Sequence, residues 1–235
     1  MAATRLPGKV MLPLAGAPML QRLVERLRRS QRVDDIVVAT TTSPPDAVIA
    51  DLCKRIECRA HRGPIEDITV RLLGAAADAD VVVQITGDCP LIDPAHVDET
   101  VRLLLDNGAD YASNNLNGCT FPLGFDVRCF TVRALRRSAD LSDDPIDRVH
   151  GSYFIQRHPE LFRLVGWEAP DELRWPELRL TVDEPADYEL VRRVFEVLYS
   201  SRTDFGAAEV VALLRSRPDW VELNSSVRQK KPSDG

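Results

Sequence analysis

The chain has 235 residues, 44% hydrophobic and 28% charged, with 30 Lys+Arg against 36 Asp+Glu for a formal net charge of −6. That length suffices to bury a core without disulfides, and the mild acidity excludes a general binder of nucleic acid or of membrane surfaces, which needs a basic field. No apolar run approaches the roughly 18 residues of a membrane span, and the N-terminus never becomes the apolar stretch of a signal peptide. The five cysteines, at 53, 58, 89, 119 and 129, are odd in number and form no Cys-x-x-Cys pair. They read as reduced thiols of a cytoplasmic protein. The four histidines stand at no zinc-ligand spacing from a cysteine.

The elements alternate along the chain. Residues 18–32 carry Leu20, Leu23, Val24 and Leu27 at helical spacing, with arginines on the other face. Residues 35–41 form a β-branched run expected to be a buried strand. A helix over 45–56 with Pro near its first turn, a weak strand at 58–61 and an alanine-rich helix over 66–79 follow. Residues 80–86 give the strongest strand, and Asp93-Pro94 opens a helix to Asp106 with Asp93 as N-cap. In the second half the pattern predicts strands at 110–113, 125–131, 162–168 and 178–182. Helices are expected over 132–139, 147–157, 185–199 and 207–216, and residues 225–235 form a loose polar tail. The rhythm implies one domain over 1–224 of α/β class, Rossmann-like, with a mostly parallel sheet and helices on both faces.

Ligands of such sheets bind at the carboxyl ends of the strands, where three segments stand out. The first, Thr4-Arg5-Leu6-Pro7-Gly8-Lys9, sets two cations around a Pro-Gly turn, a loop suited to phosphate oxygens; alone it is also a plain basic terminus. The second, Thr86-Gly87-Asp88, leaves the strongest strand with Gly87 permitting close backbone approach and Asp88 able to hold a hard cation such as Mg²⁺. The third, Leu180-Thr181-Val182-Asp183-Glu184-Pro185, repeats a strand, an acid and a Pro-led helix. A cationic loop with two strand-end acids is the equipment of phosphate-plus-Mg²⁺ chemistry.

Thr4–Val10 (TRLPGKV), Leu14–Leu20 (LAGAPML), Ile36–Thr42 (IVVATTT), Ile85–Asp93 (ITGDCPLID), Leu180–Asp187 (LTVDEPAD) and Pro218–Asn224 (PDWVELN) together resemble the sugar nucleotidyltransferases. Among these the chain is similar to the cytidylyltransferases that make CMP-activated acidic sugars, of the spore-coat polysaccharide type. The resemblance covers nearly the whole chain. It implies that CTP and a sugar acceptor are the substrates, Mg²⁺ the cofactor, and Arg5, Lys9 and Asp88 the catalytic groups. Arg5 and Lys9 would hold the triphosphate, Asp88 and Asp183 the metal, and Thr40, Thr41, Asp67, Arg71, Thr86 and Gly87 would lie around the nucleotide. Gly124, Asp126 and His150 would face the sugar. The family often pairs through its second half, which would put a homodimer contact near residues 114–131. Leu123, Arg128, Gln84 and Arg148 depart from the family pattern, and they cluster on the acceptor side. The family also begins with a buried strand, whereas this chain begins within the phosphate loop. A first strand is therefore expected to be missing, and roughly 10 residues upstream of Met1 would supply it.

Overall fold

A computed structural model describes residue 1 and residues 3–229. A hairpin of β1 (Pro13–Leu14) and β2 (Ala17–Pro18) leads into α1 (Met19–Leu27). β3 (Val37–Thr41), α2 (Ala47–Arg55) and β4 (Arg59–Gly63) form a parallel β-α-β unit. Then come α3 (Ile68–Ala75), β5 (Val81–Gln84), α4 (Pro94–Asp106), β6 (Tyr111–Ser113) and β7 (Arg128–Thr131). α5 (Val132–Leu141), α6 (Pro145–His150), α7 (Tyr153–Arg157) and β8 (Leu164–Gly166) follow, and α8 (Pro185–Ser201), α9 (Ala207–Arg215) and α10 (Pro218–Val221) close the chain.

The α/β class is as expected, but its ladders are mixed rather than mostly parallel. One sheet has the order β5-β7-β6-β8, with β7 antiparallel to both neighbours and β8 parallel to β6. The reason lies in the connections. The α4 crossover lets β6 run in the direction of β5, whereas the β6–β7 loop carries no helix and the chain returns antiparallel between them. β3 and β4 form a separate two-stranded sheet. Met1, Val10 and Met11 of the N-terminal segment pack on the same apolar cluster as Val38 of β3 and Val83 of β5, around Leu20, Leu23, Leu52 and Val127.

The largest apolar cluster lies under the third predicted segment. Leu178, Leu180 and Val182 meet Leu190, Val191, Val194 and Phe195 of α8 and Phe205, Val210 and Leu214 around α9. The α8 residues recur at helical spacing, so one stripe of that helix is buried; each such side chain contributes about 1.5–3 kcal/mol when fully covered. Asp93 ties this region to the first half: one oxygen caps α4 at Ala95 N (2.9 Å) and the other accepts from Ala207 N (2.6 Å).

Three local expectations need correction. Residues 178–182 are extended but form no ladder strand. Their strand-like main-chain bonds are limited to Leu123 N–H to Leu178 C=O, Leu180 N–H to Leu123 C=O and Val182 N–H to Asp88 C=O. The pairing stops there because Phe125 N–H turns back to Pro122 C=O and Val182 N–H goes to Asp88 C=O. The helix predicted over 147–157 is split into α6 and α7 at Gly151, which takes φ of 64°, outside the helical region. The arginines of α1 are not all on a solvent face: Arg22 and Arg26 are buried. Arg26 donates to Ile92 C=O and lies over the Phe205 ring, and Arg22 donates to Leu14 C=O and lies over Tyr199.

Candidate active site

The carboxyl end of β5 runs directly into Thr86-Gly87-Asp88, and the chain beyond Asp88 is held beside residue 182 by the Val182 N–H···O=C Asp88 bond of 2.8 Å. This brings the two acids that follow the strand-like segments onto one centre. Lys9 Nζ, at the start of the 3-10 turn Lys9–Met11, donates to Asp88 Oδ2 at 2.7 Å and to Asp183 Oδ1 at 2.8 Å. Arg5 reaches Asp183 Oδ2 at 3.1 Å and Glu184 Oε1 at 3.0 Å. The four residues predicted to handle phosphate and metal thus meet in one ion network.

Two carboxylate oxygens directed at one cationic nitrogen are a hard-oxygen donor pair of the kind that holds Mg²⁺ at roughly 2.0–2.1 Å when substrate phosphates and water supply the other ligands. Among the described residues no group of three or more His, Cys, Asp or Glu side chains forms a protein-only metal cage. The residues therefore fit a metal that arrives with a phosphate ligand.

Burial alone would push the Asp183 carboxyl up, but Lys9, Arg5 and Arg179 outweigh it and hold the group below its ordinary 3.8. Burial likewise pulls the Lys9 ammonium down, and Asp88 and Asp183 outweigh it, holding the group above 10.5. A depressed carboxyl stabilises the fold above its unfolded pKa, and this stabilisation is lost as pH falls through the folded value. A raised ammonium stabilises below its unfolded pKa and loses this as pH rises through the folded value. The contribution of the Lys9–Asp183 pair is therefore expected to be constant between about pH 5 and pH 9 and to fade in acid below the ordinary carboxylate range. Melting temperatures of the parent and of Asp183→Asn across pH check this; a gap between them that varies in the neutral window speaks against the pairing.

Behind this layer lies a support that the sequence reading missed. Arg179 Nη2 donates to Asp183 Oδ2 at 2.6 Å and its Nε to Asp187 Oδ1 at 2.9 Å. Asp187, fully buried in the first turn of α8, also accepts from the backbone N–H of Asp183 and of Glu184, both at 2.9 Å. Asn224 closes the ring, donating to Asp187 Oδ1 at 2.8 Å and to Arg179 C=O at 3.0 Å. One signal for Arg179 was present: residues 179, 181 and 183 alternate with Leu178, Leu180 and Val182, so in extended chain they share the face opposite the core. The segment expected to be loose also contributes, because Arg228 C=O accepts from Arg5 at 3.3 Å and Gln229 Oε1 from Arg179 at 2.5 Å. Residues 230–235 lie outside the described residues.

The residues predicted to face the sugar sit alongside. Gly124 takes φ of 110°, and a Cβ there would lie 2.7 Å from Thr181 N, so only glycine lets this loop reach the segment leading to Asp183. Asp126 accepts from Gly124 N at 3.1 Å and from Asn115 Nδ2 at 2.7 Å. His150 ends α6 with its ring 5.8 Å from that of Tyr153, and the adjacent Gly151 packs near Gln84 at the end of β5. The predicted nucleotide residues are more dispersed. Thr40 and Thr41 end β3, Thr40 is buried, and the Thr41 hydroxyl donates to Asp46. Asp67 caps α3 at Val70 N (2.7 Å), while Arg71 braces the preceding loop through Pro64 C=O at 2.5 Å. Burial lowers the Arg71 pKa, against Asp46 and Asp67. The Thr86 hydroxyl lies 3.2 Å from Cys89 Sγ, and Gly87 faces Val10 with room for little more than a methyl group.

A cytidylyltransferase family model matches residues 1–209. The chain belongs to the cytidylyltransferase family. A solved cytidylyltransferase from Leptospira borgpetersenii superposes with a TM-score of 0.87 at 28% identity, over 98% of this chain and 95% of that one. The spore coat polysaccharide biosynthesis protein SpsF of Bacillus subtilis is 32% identical over 93% of this chain and 92% of its own length. An uncharacterized protein of Methanocaldococcus jannaschii is also 32% identical, over 96% of this chain and 91% of its own length. Among the described residues no helix is long and apolar enough to cross a membrane.

Proposed function

We propose that the chain transfers CMP from CTP to a hydroxyl of an acidic sugar and releases pyrophosphate. The observation that carries the reading is the convergence of Lys9, Asp88 and Asp183, with Arg5 beside them, at the carboxyl edge of the sheet. The acceptor oxygen attacks the α-phosphorus in line, the bond to the β-phosphate oxygen breaks, and pyrophosphate leaves. Such a reaction asks the protein for positioning and charge stabilisation more than for covalent chemistry. Arg5 and Lys9 turn from their carboxylates to the β- and γ-phosphates and offset charge on the leaving group. Asp88 and Asp183, released from Lys9, would hold Mg²⁺, which when bound polarises the phosphoryl oxygens. Arg179, Asp187 and Asn224 keep Asp183 in place during that exchange. The acceptor hydroxyl gives up its proton to solvent as its bond to the α-phosphorus forms.

Arg128 favours an acidic acceptor. It pairs in register with Gln84 at the carboxyl end of β5, two residues beyond Asp126, and its Nε is buried with no hydrogen-bond partner among the described residues. The side chain as a whole is half-buried, and a guanidinium fork matches the geometry of a carboxylate. The test is a pyrophosphate-release screen of CTP, UTP, GTP and ATP with Mg²⁺, against acidic and neutral sugars. Release is expected with CTP and acidic acceptors. Arg128→Gln should then raise KM for the acidic sugar on the order of tenfold, about 1.4 kcal/mol, with a smaller change in kcat. Preference for another nucleotide, or for neutral sugars, overturns the corresponding half. CTP raising the melting temperature with no turnover on any sugar refutes the transfer itself, since binding stabilises by mass action alone.

A further inference from the structure

The turn between α2 and β4 holds two thiols that nucleotidyl transfer does not use. Cys58 N–H donates to Cys53 C=O at 2.9 Å, Glu57 N–H donates to Lys54 C=O at 3.4 Å, and Glu57 takes a left-handed φ of 52°. This is the Schellman ending of a helix, which brings the side chain of the third residue before the cap onto that of the second residue after it. Here both positions are cysteines. With ordinary backbone bond lengths, the 2.9 Å hydrogen bond keeps their Cα atoms within about 6.8 Å, inside the span of a disulfide. Both side chains pack on one apolar cluster, Cys53 buried and Cys58 half-buried.

Cys58 opens on a surface cavity of about 220 Å³ that is also lined by Arg28, Asp34, Asp35, Glu57 and Arg59. Asp35 is engaged by Arg59 at 2.6 Å. Arg28 donates to Ile56 C=O at 2.6 Å and Glu57 C=O at 2.9 Å, which sets a positive charge over the end of α2. The neutral Cys58 thiol can donate to Ile36 C=O at 3.4 Å. Even so, the neighbouring Cys53 thiol, with Arg28 adding to it, outweighs burial and Asp35 and brings the Cys58 thiol down to about 7. The same pairing holds Cys53 well above the ordinary thiol range. A reactive thiolate beside a protonated thiol is the arrangement of an attacking and a resolving cysteine.

We infer that Cys58 and Cys53 form a dithiol that small hydroperoxides oxidise to an intramolecular disulfide. The Cys58 thiolate attacks one peroxide oxygen. The S–O bond forms as the O–O bond breaks, and the departing oxygen takes up a proton to leave as water, or as an alcohol from an alkyl hydroperoxide. Cys53 Sγ then attacks the Cys58 sulfenic sulfur, the S–S bond forms, the S–O bond breaks, and water leaves with the Cys53 proton. The two thiols lose two electrons and the hydroperoxide gains them.

The experiment treats the full chain with hydrogen peroxide, alkylates the remaining thiols, and digests with trypsin. Lys54 and Arg55 lie between the two cysteines, so their tryptic peptides stay joined only through a disulfide. The joined pair is expected, and dithiothreitol should separate it. In Cys53→Ala or Cys53→Ser, whichever melts like the parent, Cys58 should instead accumulate as a sulfenic acid that dimedone traps; Cys58→Ser should give neither product. In the untreated parent at neutral pH, Cys58 should alkylate at least about tenfold faster than the exposed Cys119, in line with its larger thiolate fraction. Oxidation of Cys119 ahead of Cys58, or no joined peptide while other thiols are oxidised, overturns the inference.

Discussion

Asp88→Asn is expected to lower CTP-dependent pyrophosphate release by on the order of 100-fold or more, the loss of several kcal/mol of charge stabilisation at the phosphate. The variant keeps the shape of the side chain and removes one of two carboxylates that converge on Lys9. The fold should survive, because the contact that joins this turn to residue 182 uses the Asp88 carbonyl oxygen, which the substitution leaves alone. Lys9 also retains Asp183 at 2.8 Å. Steady-state turnover with added Mg²⁺, set beside the melting temperature, separates lost chemistry from lost structure. Near-parental turnover in a folded variant would falsify the assignment of Asp88 to the reacting phosphate.

Asp187→Ala is expected to have the largest effect on stability. Removing this carboxylate leaves the buried Arg179 guanidinium short of a partner, deprives the N–H groups of Asp183 and Glu184 of their acceptor, and takes one of two acceptors from Asn224. Breaking a buried ion pair from one side costs about 3–5 kcal/mol, a large share of the roughly 5–15 kcal/mol by which a domain is stable. Urea unfolding at unchanged m-value measures it. Glu189 offers the contrast within the same helix. It pairs with Arg192 at 2.9 Å and Arg193 at 2.7 Å, with all three side chains about one-third exposed, so Glu189→Ala should cost at most about 1 kcal/mol. Similar losses in the two variants would show that the buried ring is not a keystone of the site.

The parts of the site legible in the sequence were those written into short stretches of chain. A β-branched run ending in Thr86-Gly87-Asp88 and an extended run ending in Asp183-Glu184-Pro185 each announce a carboxylate where a strand-like segment gives way to a helix. Arg5 and Lys9 stood out as cations in a Pro-Gly turn. Arg179 alternates with leucines, but an arginine in a strand reads first as a solvated residue, so its role is not legible from the sequence. Asn224 and Gln229 carried no such signal: their partner Arg179 lies 45 and 50 residues away. The buried arginines of α1 depart from the expected solvent face for a related reason. Helical spacing tells which residues share a face, but not whether α8 and the loop before α9 will cover the next face with Tyr199 and Phe205.

By itself the sequence determined most of the elements and their order, the α/β class and the chemical types of the groups at the segment ends. All of these follow from interactions over a few residues: side-chain period, capping and turn chemistry. Only the tertiary structure decided the antiparallel insertion of β7, the missing ladder at residues 178–182, and which charges meet. Lys9 joins Asp88 and Asp183 across 79 and 174 residues, and the packing of α8 against the 178–182 segment holds that meeting in place. Local periodicity carries no information about such pairings, because they are set by how the buried faces of distant elements fit together.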